Sequence, residues 1–225
     1  MKFDELEKLF ESSTIKPSFD YIHAILALYL FAELGEQEGI GRYRLKEELL
    51  IGSGTAKSLI SKLNTKVNFI RVLSRNNQKK GHILTNSGFT FLSKIKQKIP
   101  VLKEGDLSVL KDIIIKIENM KSFFCLIRNG AKNLTNGVKQ RDAAIKIDGS
   151  GATCLVYNGN RLIFPPKAFS ESEIDSIEIS ENVQEYFNVQ LSENELEKND
   201  VIIIGLGESA AKARLAALNA ALTLI

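Results

Sequence analysis

The sequence has few residues of the types that bind metals or carry redox chemistry. Its 225 residues include only two cysteines, Cys125 and Cys154, and two histidines, His23 and His82. Both cysteines lie within apolar runs, and neither histidine stands at a recognised zinc-ligand spacing from them. We therefore expect two buried cysteines and no metal or other cofactor.

Long apolar runs are also absent. No stretch reaches the roughly 18 consecutive apolar residues that a membrane-spanning helix needs. The first ten residues are acidic and amphipathic, unlike a secretory signal. These features predict a cytoplasmic protein without a membrane partner. Hydrophobic residues make up 44% and charged residues 25% of the chain, which is typical of globular proteins.

Charge is distributed unevenly along the chain. Residues 1–100 contain 16 Lys and Arg against 10 Asp and Glu, whereas residues 101–225 contain 14 against 17. Within residues 40–98 the count is 13 against two. A local excess of eleven positive charges is the electrostatic pattern expected of a surface that binds phosphate.

The first half of the chain predicts three helices in succession. The first follows Ser18, a suitable N-cap, and has apolar residues at helical spacing. A second short helix is predicted over residues 42–50 and a third over residues 55–66, with a glycine-containing turn at residues 51–54 between them. Two short helices joined by such a turn form the helix-turn-helix pattern.

A β-hairpin and a last helix follow. Residues 69–73 and 81–85 read as strands, and the polar residues 75–80 between them read as a turn-prone basic tip, or wing. Residues 86–100 predict an amphipathic helix. The complete order is that of a winged helix-turn-helix, which we assign to residues 1–100.

The third helix of such folds lies in the major groove of double-stranded DNA. We expect residues 54–64 to read base edges, and the basic residues of the second helix and the wing to contact phosphates. The candidates for base contact are Thr55, Lys57, Ser58, Ser61 and Lys62. The candidates for phosphate contact are Arg42, Arg44, Arg75, Lys79 and Lys80.

Residues 101–225 predict a second, α/β domain that binds an effector or dimerises, so the whole chain is a two-domain α/β (α+β) protein. Residues 101–121 start with a glycine-containing break and continue as an amphipathic segment whose apolar residues recur at helical spacing from Leu107 to Ile117. Further helices are predicted over residues 133–148 and 210–224, with a short one near 181–187. The predicted strands are 123–127, 152–157, 161–165 and 201–204. The last strand lacks polar interruption, as expected when both faces of a sheet are covered.

Two features of the second domain could bind a small anionic effector. At the junction of strand 201–204 with the last helix, Gly205 and Gly207 would let a ligand approach the backbone and the free N–H groups of the helix start. This motif lacks the third glycine of a dinucleotide fingerprint, and a tight turn is the more common explanation. The second feature is a group of charged residues on and near the helix predicted over residues 133–148. The alternative interpretation is that they form an ordinary solvent-exposed helix face. The members of this group are Arg128, Lys132, Arg141, Asp142 and Lys146.

Three runs carry a family resemblance: GRYRLKEELLIGSGTAKSLISKL, VKQRDAAIKIDGSGATCLVY and DVIIIGLGES. Together they resemble an archaeal family of winged-helix proteins of the DNA-binding, transcription-regulator type, which end in a domain of unknown function. The resemblance extends over nearly the whole chain and implies a regulator-like role. It supplies no ligand for the second domain.

These observations favour a DNA-binding transcription regulator and not an enzyme, because the second domain contains no histidine and no carboxylate pair at a telling spacing. The expected partners are double-stranded DNA, a small anionic effector and a second copy of the chain, since helix-turn-helix proteins usually bind two half-sites. Two alternatives stay open: an enzyme of phosphoryl or nucleotide chemistry with an accessory winged helix, and a winged helix that docks RNA or protein.

Overall fold

The computed structural model describes residues 3–11, 17–33, 39–75, 78–114, 118–165 and 179–225, without the side chains of residues 75–79. The chain divides into two compact units, Met1–Ile95 and Lys96–Ile225. Each unit contains helices and one antiparallel sheet. The predicted α+β class with a helical first part and a sheet-rich second part is confirmed.

The first unit contains the three helices, the hairpin and the last helix that the sequence predicts, in that order, preceded by a four-residue helix that was not predicted. Its elements are α1 (Asp4–Glu7), α2 (Tyr21–Glu33), α3 (Arg42–Leu49), α4 (Ser53–Thr65), β1 (Ile70–Arg75), β2 (Gln78–Leu84) and α5 (Asn86–Lys96). The wing differs from the prediction, because the strands continue to the pair Arg75 and Gln78 and take up most of the expected tip. Polar composition alone does not separate a solvated strand end from a turn.

The buried centre of the first unit is α2. Residues Ile22–Phe31 are all buried, including His23, whose Nδ1 accepts a hydrogen bond of 3.0 Å from the backbone N–H of Asp20. Helix α2 begins at Tyr21, so Ser18, the predicted N-cap, lies outside the helix, and its hydroxyl is 2.8 Å from that of Thr55. Burial lowers the pKa of His23, and the neighbouring Asp20 only partly offsets that effect.

The wing is joined to the segment before α3. Ile40 and His82 exchange two backbone hydrogen bonds of 2.9 Å. The two backbones approach so closely that a Cβ at Gly39 would lie 2.6 Å from the carbonyl oxygen of Lys80. Gly81 has φ +107°, and a Cβ there would lie 2.7 Å from the carbonyl carbon of Ile40. Glycine at both positions thus permits the contact that places α3 beside the wing.

The second unit is a five-stranded antiparallel sheet in the order β3-β4-β7-β5-β6, with helices on both faces. Its strands are β3 (Val101–Gly105), β4 (Lys121–Ile127), β5 (Gly151–Tyr157), β6 (Leu162–Ile163) and β7 (Val201–Gly207). Its helices are α6 (Leu107–Leu110), α7 (Val138–Lys146), α8 (Glu181–Gln190) and α9 (Ala210–Leu222).

The beginning of segment 101–121, predicted as a glycine-containing break, contains a strand that we did not predict. The structure has the edge strand β3 there, paired with β4 from Val101 opposite Leu126 to Gly105 opposite Ser122. Only the short α6 and a single 3-10 turn follow it within the described residues. Asp106 ends the strand, and its side chain accepts a hydrogen bond of 2.9 Å from the N–H of Ser108 at the start of α6.

The sheet has an apolar layer on each face. Helices α9 and α7 pack on β7, β4 and β5. On the other face Phe124, Leu155 and Ile202 contribute to a core that includes Val183 and Phe187 of α8. All seven residues of β7 are buried, which confirms that this strand is covered on both sides.

Candidate nucleic-acid interface and ligand cavity

Helix α4 presents small and basic side chains to solvent. Gly54, Lys57 and Ser61 are exposed, and Ser58 between them is half-buried. Small side chains allow the backbone of a helix to approach a groove closely, and a lysine can reach base edges or phosphates. The opposite face supplies the core contacts through Ala56, Leu59, Ile60 and Leu63.

The beginning of α4 suits a phosphate. Its N-cap residue Gly52 forms no side-chain cap, and the first turn of any helix leaves N–H groups without intrahelical partners. Such a terminus favours anions. The hydroxyl of Thr55 lies 2.8 Å from the hydroxyl of Ser18, so that candidate for base contact has a hydrogen-bond partner within the unit.

Lys62 lies in a different environment from Lys57. Its Nζ donates hydrogen bonds to the carbonyl oxygens of Leu9, at 2.5 Å, and of Glu11, at 3.4 Å. The segment it holds is anchored by the fully buried Leu6 and Leu9. Helical spacing predicts an outward position for Lys62 but does not reveal this bond, which assigns the residue to holding the N-terminal segment on α4.

Helix α3 carries an exposed aromatic ring beside one of its arginines. Tyr43 is 68% exposed, and the guanidinium of Arg42 lies 4.9 Å from the ring centroid and donates to the hydroxyl at 3.1 Å. Arg44 is 4.0 Å from Glu48 in a solvent-exposed pair, which holds its guanidinium only weakly. Sequence reasoning missed Tyr43, although a tyrosine between two arginines was a usable signal.

The wing contributes further positive charge. Lys80 is exposed on β2, and Arg71, which sequence reasoning did not single out, is exposed on β1. The side chains of Arg75 and Lys79, both predicted to contact phosphate, lie outside the described residues.

In the second unit, Arg128 is part of a buried hydrogen-bond network. Its Nη1 donates to the carboxylate of Asp200 at 2.5 Å and to the carbonyl oxygen of Glu195 at 2.8 Å. Asp200 is 1% exposed and also accepts from the backbone N–H groups of Asn129 and Glu197. The interpretation of Arg128 as an effector ligand is therefore corrected to a structural role.

Gly205 and Gly207 do not form a loop. Both belong to β7, and α9 packs directly on them. A Cβ at Gly205 would lie 2.1 Å from the backbone nitrogen of Ala217, and one at Gly207 would lie 2.6 Å from that of Ala213. The glycines permit helix and strand to touch, which corrects the hypothesis that they surround an anion.

The start of α9 is satisfied by the chain itself. The side chain of Ser209 accepts a hydrogen bond of 3.3 Å from the N–H of Lys212. The side chain of Lys212 donates a hydrogen bond of 2.8 Å to the carboxylate of Glu208, with which it forms an ion pair. The hydrogen bond from the Lys212 side chain lowers the pKa of the Glu208 carboxyl. A carboxylate at this position opposes a second anion.

The remaining charged candidates lie on or near α7. Lys132 and Lys146 are exposed. Arg141 is also exposed and forms an ion pair of 2.9 Å with the adjacent Asp142, in which each side chain is more than half exposed. Arg141 also lies in the wall of a cavity.

That cavity has a volume of about 250 Å³ and lies between the beginning of α7, β5 and the two residues after β6. Its walls include Phe164 and the thiol of Cys154, neither of which sequence reasoning connected with a ligand. Burial raises the pKa of Cys154 to about 12, so its thiol is protonated at neutral pH. The arrangement combines an apolar interior with one cation.

The described residues contain neither a metal-binding cluster nor a membrane-spanning helix. These residues contain no group of three or more His, Cys, Asp or Glu that could hold a metal ion. None of their helices has the length and apolarity that crossing a bilayer requires.

Comparison with known proteins finds one family profile and one solved structure that are similar to this chain. Residues 117–224 match the profile of a family described as a domain of unknown function (DUF4443). The hypothetical protein PH0730 from Pyrococcus horikoshii OT3 is a similar solved structure, with a TM-score of 0.60 and 22% identity over 92% of this chain and 93% of that chain. At this identity the likeness shows a shared fold. No curated protein matches the sequence significantly.

Proposed function

We propose that the protein is a DNA-binding transcription regulator whose α4 reads the major groove while α3 and the wing hold phosphates. The observation that carries this proposal is the exposed face of α4, where Gly54, Lys57 and Ser61 follow one another at helical spacing. A helix with small outward side chains in the helix-turn-helix position is the element that enters a groove in proteins of this architecture.

Electrostatics support the same surface. The 13 basic and two acidic residues of the segment 40–98 give it a strong positive field. Exposed basic side chains on α3, α4 and the wing, namely Arg44, Lys57 and Lys80, contribute to this field. Phosphate contacts of this kind give affinity and register, whereas base contacts from α4 would give specificity.

Binding of RNA by the same unit is the second candidate. The exposed ring of Tyr43, flanked by Arg42 and Arg44, suits stacking on an unpaired base. Duplex DNA presents no unpaired bases, so competition between duplex DNA and single-stranded RNA separates the two functions. The regulator proposal requires duplex DNA to compete at least as well as RNA.

The first experiment is a fluorescence-anisotropy titration of the full chain onto duplex DNA at about 50 and about 200 mM salt. We expect affinity to fall steeply with salt, and the double variant Arg44→Gln/Lys80→Gln to reduce the slope by about two, one for each lost phosphate contact. Lys94→Gln is the matched control, because Lys94 is an exposed cation of the same unit that pairs with Glu5. Salt-independent binding, or equal slopes for all three proteins, would contradict the proposal.

A second variant tests the reading helix. Lys57→Ala removes the exposed lysine of α4, whereas Lys62→Ala removes the one that is bonded to the N-terminal segment. We expect Lys57→Ala to weaken DNA binding more than Lys62→Ala, and Lys62→Ala to lower the thermal stability of the first unit. The reverse order of DNA affinities would show that α4 does not present this face to the groove.

The second unit is proposed to sense a small ligand, to dimerise, or both. Dimerisation would place two copies of α4 on two half-sites of the DNA. A bound ligand could then change the distance between the two α4 helices and so the affinity for DNA. Light scattering at micromolar concentration tests this step. A monomer under those conditions would refute the dimer while leaving DNA binding by the first unit in place.

A further inference from the structure

We propose that the cavity between α7 and β5 binds a small organic monoanion with a short apolar body, such as an aryl or branched-alkyl carboxylate. Its volume of about 250 Å³ equals that of about eight water molecules in the liquid. Pockets for drug-sized ligands begin at about 300 Å³. The cavity therefore has room for a compact acid.

Among the described residues, this cavity lies at an open edge of the sheet. Strand β6 pairs only with Val156 and Tyr157 of β5. Among the strands that the structure describes, none pairs with β5 at Ala152–Cys154 on that side. The start of α7 lies above this edge, where Gly137 has φ +81° and faces the thiol of Cys154. A glycine at this turn leaves the space above the thiol unfilled.

The lining of the cavity defines the ligand class. Phe164 and Pro165 form an apolar wall, and Thr153 adds a polar group. Arg141 is the cation among the lining residues, and its ion pair with Asp142 is exposed to solvent. Exposed pairs hold their geometry weakly, so a ligand carboxylate can take the guanidinium in a bidentate pair while its apolar body contacts the wall. One guanidinium matches a monocarboxylate better than a doubly charged phosphate.

The ligand-binding step stands on the geometry of the second unit alone. Its consequence for DNA affinity rests on the proposed regulator function. The two are therefore measured separately, and the binding test uses the full chain without DNA.

The test is a nuclear magnetic resonance titration of the isotope-labelled chain with phenylacetate. We expect saturable shifts at the amides of Ala152–Cys154 and about tenfold weaker binding of 2-phenylethanol, which lacks the charge, and of acetate, which lacks the ring. Arg141→Gln should weaken phenylacetate binding about tenfold. Lys111→Gln, which removes an exposed cation next to α6 on the opposite face of the sheet, should not. Equal affinities for the three probes, an unchanged Arg141→Gln variant, or shifts confined to other residues would overturn the proposal.

Alkylation of the native protein provides an independent readout with an internal control. Cys154 lines the cavity, whereas Cys125 is fully buried and does not. We expect phenylacetate to slow the reaction of Cys154 with iodoacetamide and to leave that of Cys125 unchanged. Equal rates for Cys154 with and without saturating phenylacetate would overturn the site. If phenylacetate does not protect Cys154 but the protein binds DNA, the ligand site is wrong and the proposed function stands. If phenylacetate protects Cys154 but the protein does not bind DNA, the ligand site stands and the proposed function is wrong.

Discussion

Replacement of Asp200 by alanine should destabilise the second unit strongly, because this carboxylate connects three segments of the chain. Asp200 is 1% exposed and accepts hydrogen bonds from Arg128 at the end of β4, from the N–H of Asn129 and from the N–H of Glu197. It directly precedes β7, the central strand of the sheet. Its removal leaves a partly buried guanidinium and two backbone donors without their acceptor.

The expected magnitude follows from these contacts. Removing one partner of a buried ion pair costs about 3–5 kcal/mol. The side chain of Arg128 is 23% exposed, so water can reach the guanidinium in the variant and the cost should lie near the lower end of that range. Asp142→Ala is the matched control, since Asp142 also forms an arginine pair in this unit but is 59% exposed. It should cost less than about 1 kcal/mol.

Native-state hydrogen exchange read by mass spectrometry is the appropriate assay, because a chain of two units does not guarantee one cooperative unfolding transition. The opening free energies of peptides from β4 and β7 should fall in Asp200→Ala and change little in Asp142→Ala. Equal losses in the two variants, or a loss below about 1 kcal/mol in Asp200→Ala, would refute the reasoning. Arg128 would then return to the candidates for ligand binding.

Three further predictions concern packing and protonation. Gly205→Ala should lower the thermal unfolding temperature of the second unit sharply, because the added Cβ would overlap the backbone of α9. Gly54→Ala is the control: a Cβ at this position would meet no atom within 4 Å, so the variant should preserve or slightly raise stability. Burial lowers the pKa of His23, so the unfolding free energy of the first unit should decrease as pH falls below about 6.5 and level off below the folded pKa. His23→Asn, which keeps an acceptor without titrating, should remove that slope in denaturant titrations at several pH values. Burial raises the pKa of Cys125 and of Cys154, so both thiols should react with iodoacetamide at pH 8 at least about tenfold more slowly in the native than in the unfolded chain.

Much of the secondary structure is predictable because it depends on local patterns. The apolar spacing of α4, the uninterrupted strand β7 and the alanine-rich α9 each agree with their predicted positions within a few residues. The edge strand β3 was not predicted, because its hydrogen bonds go to β4, some twenty residues away in sequence. Its own residues, which include a glycine and two charged side chains, read locally as a break between elements.

Single side chains of the candidate sites also differ in ways that local sequence patterns do not predict. Periodicity places Lys57 and Lys62 on one side of α4, yet one is exposed and the other is bonded to Leu9. Composition gives Arg128 and Arg141 the same charge, yet one is paired with a buried carboxylate and the other lines a cavity. Such differences depend on partners distant in sequence.

The sequence by itself determined most of the helix and strand content, the covered central strand and the concentration of positive charge in the first half of the chain. These properties follow from residue type and spacing, which act within a few residues of each other. Only the tertiary structure decided which charged side chains face solvent, why Gly205 is a glycine and where the second unit has a cavity. Each of these depends on distances between segments far apart in the chain, such as the contact between Gly205 and Ala217, and hydrogen bonding and packing act only at those distances.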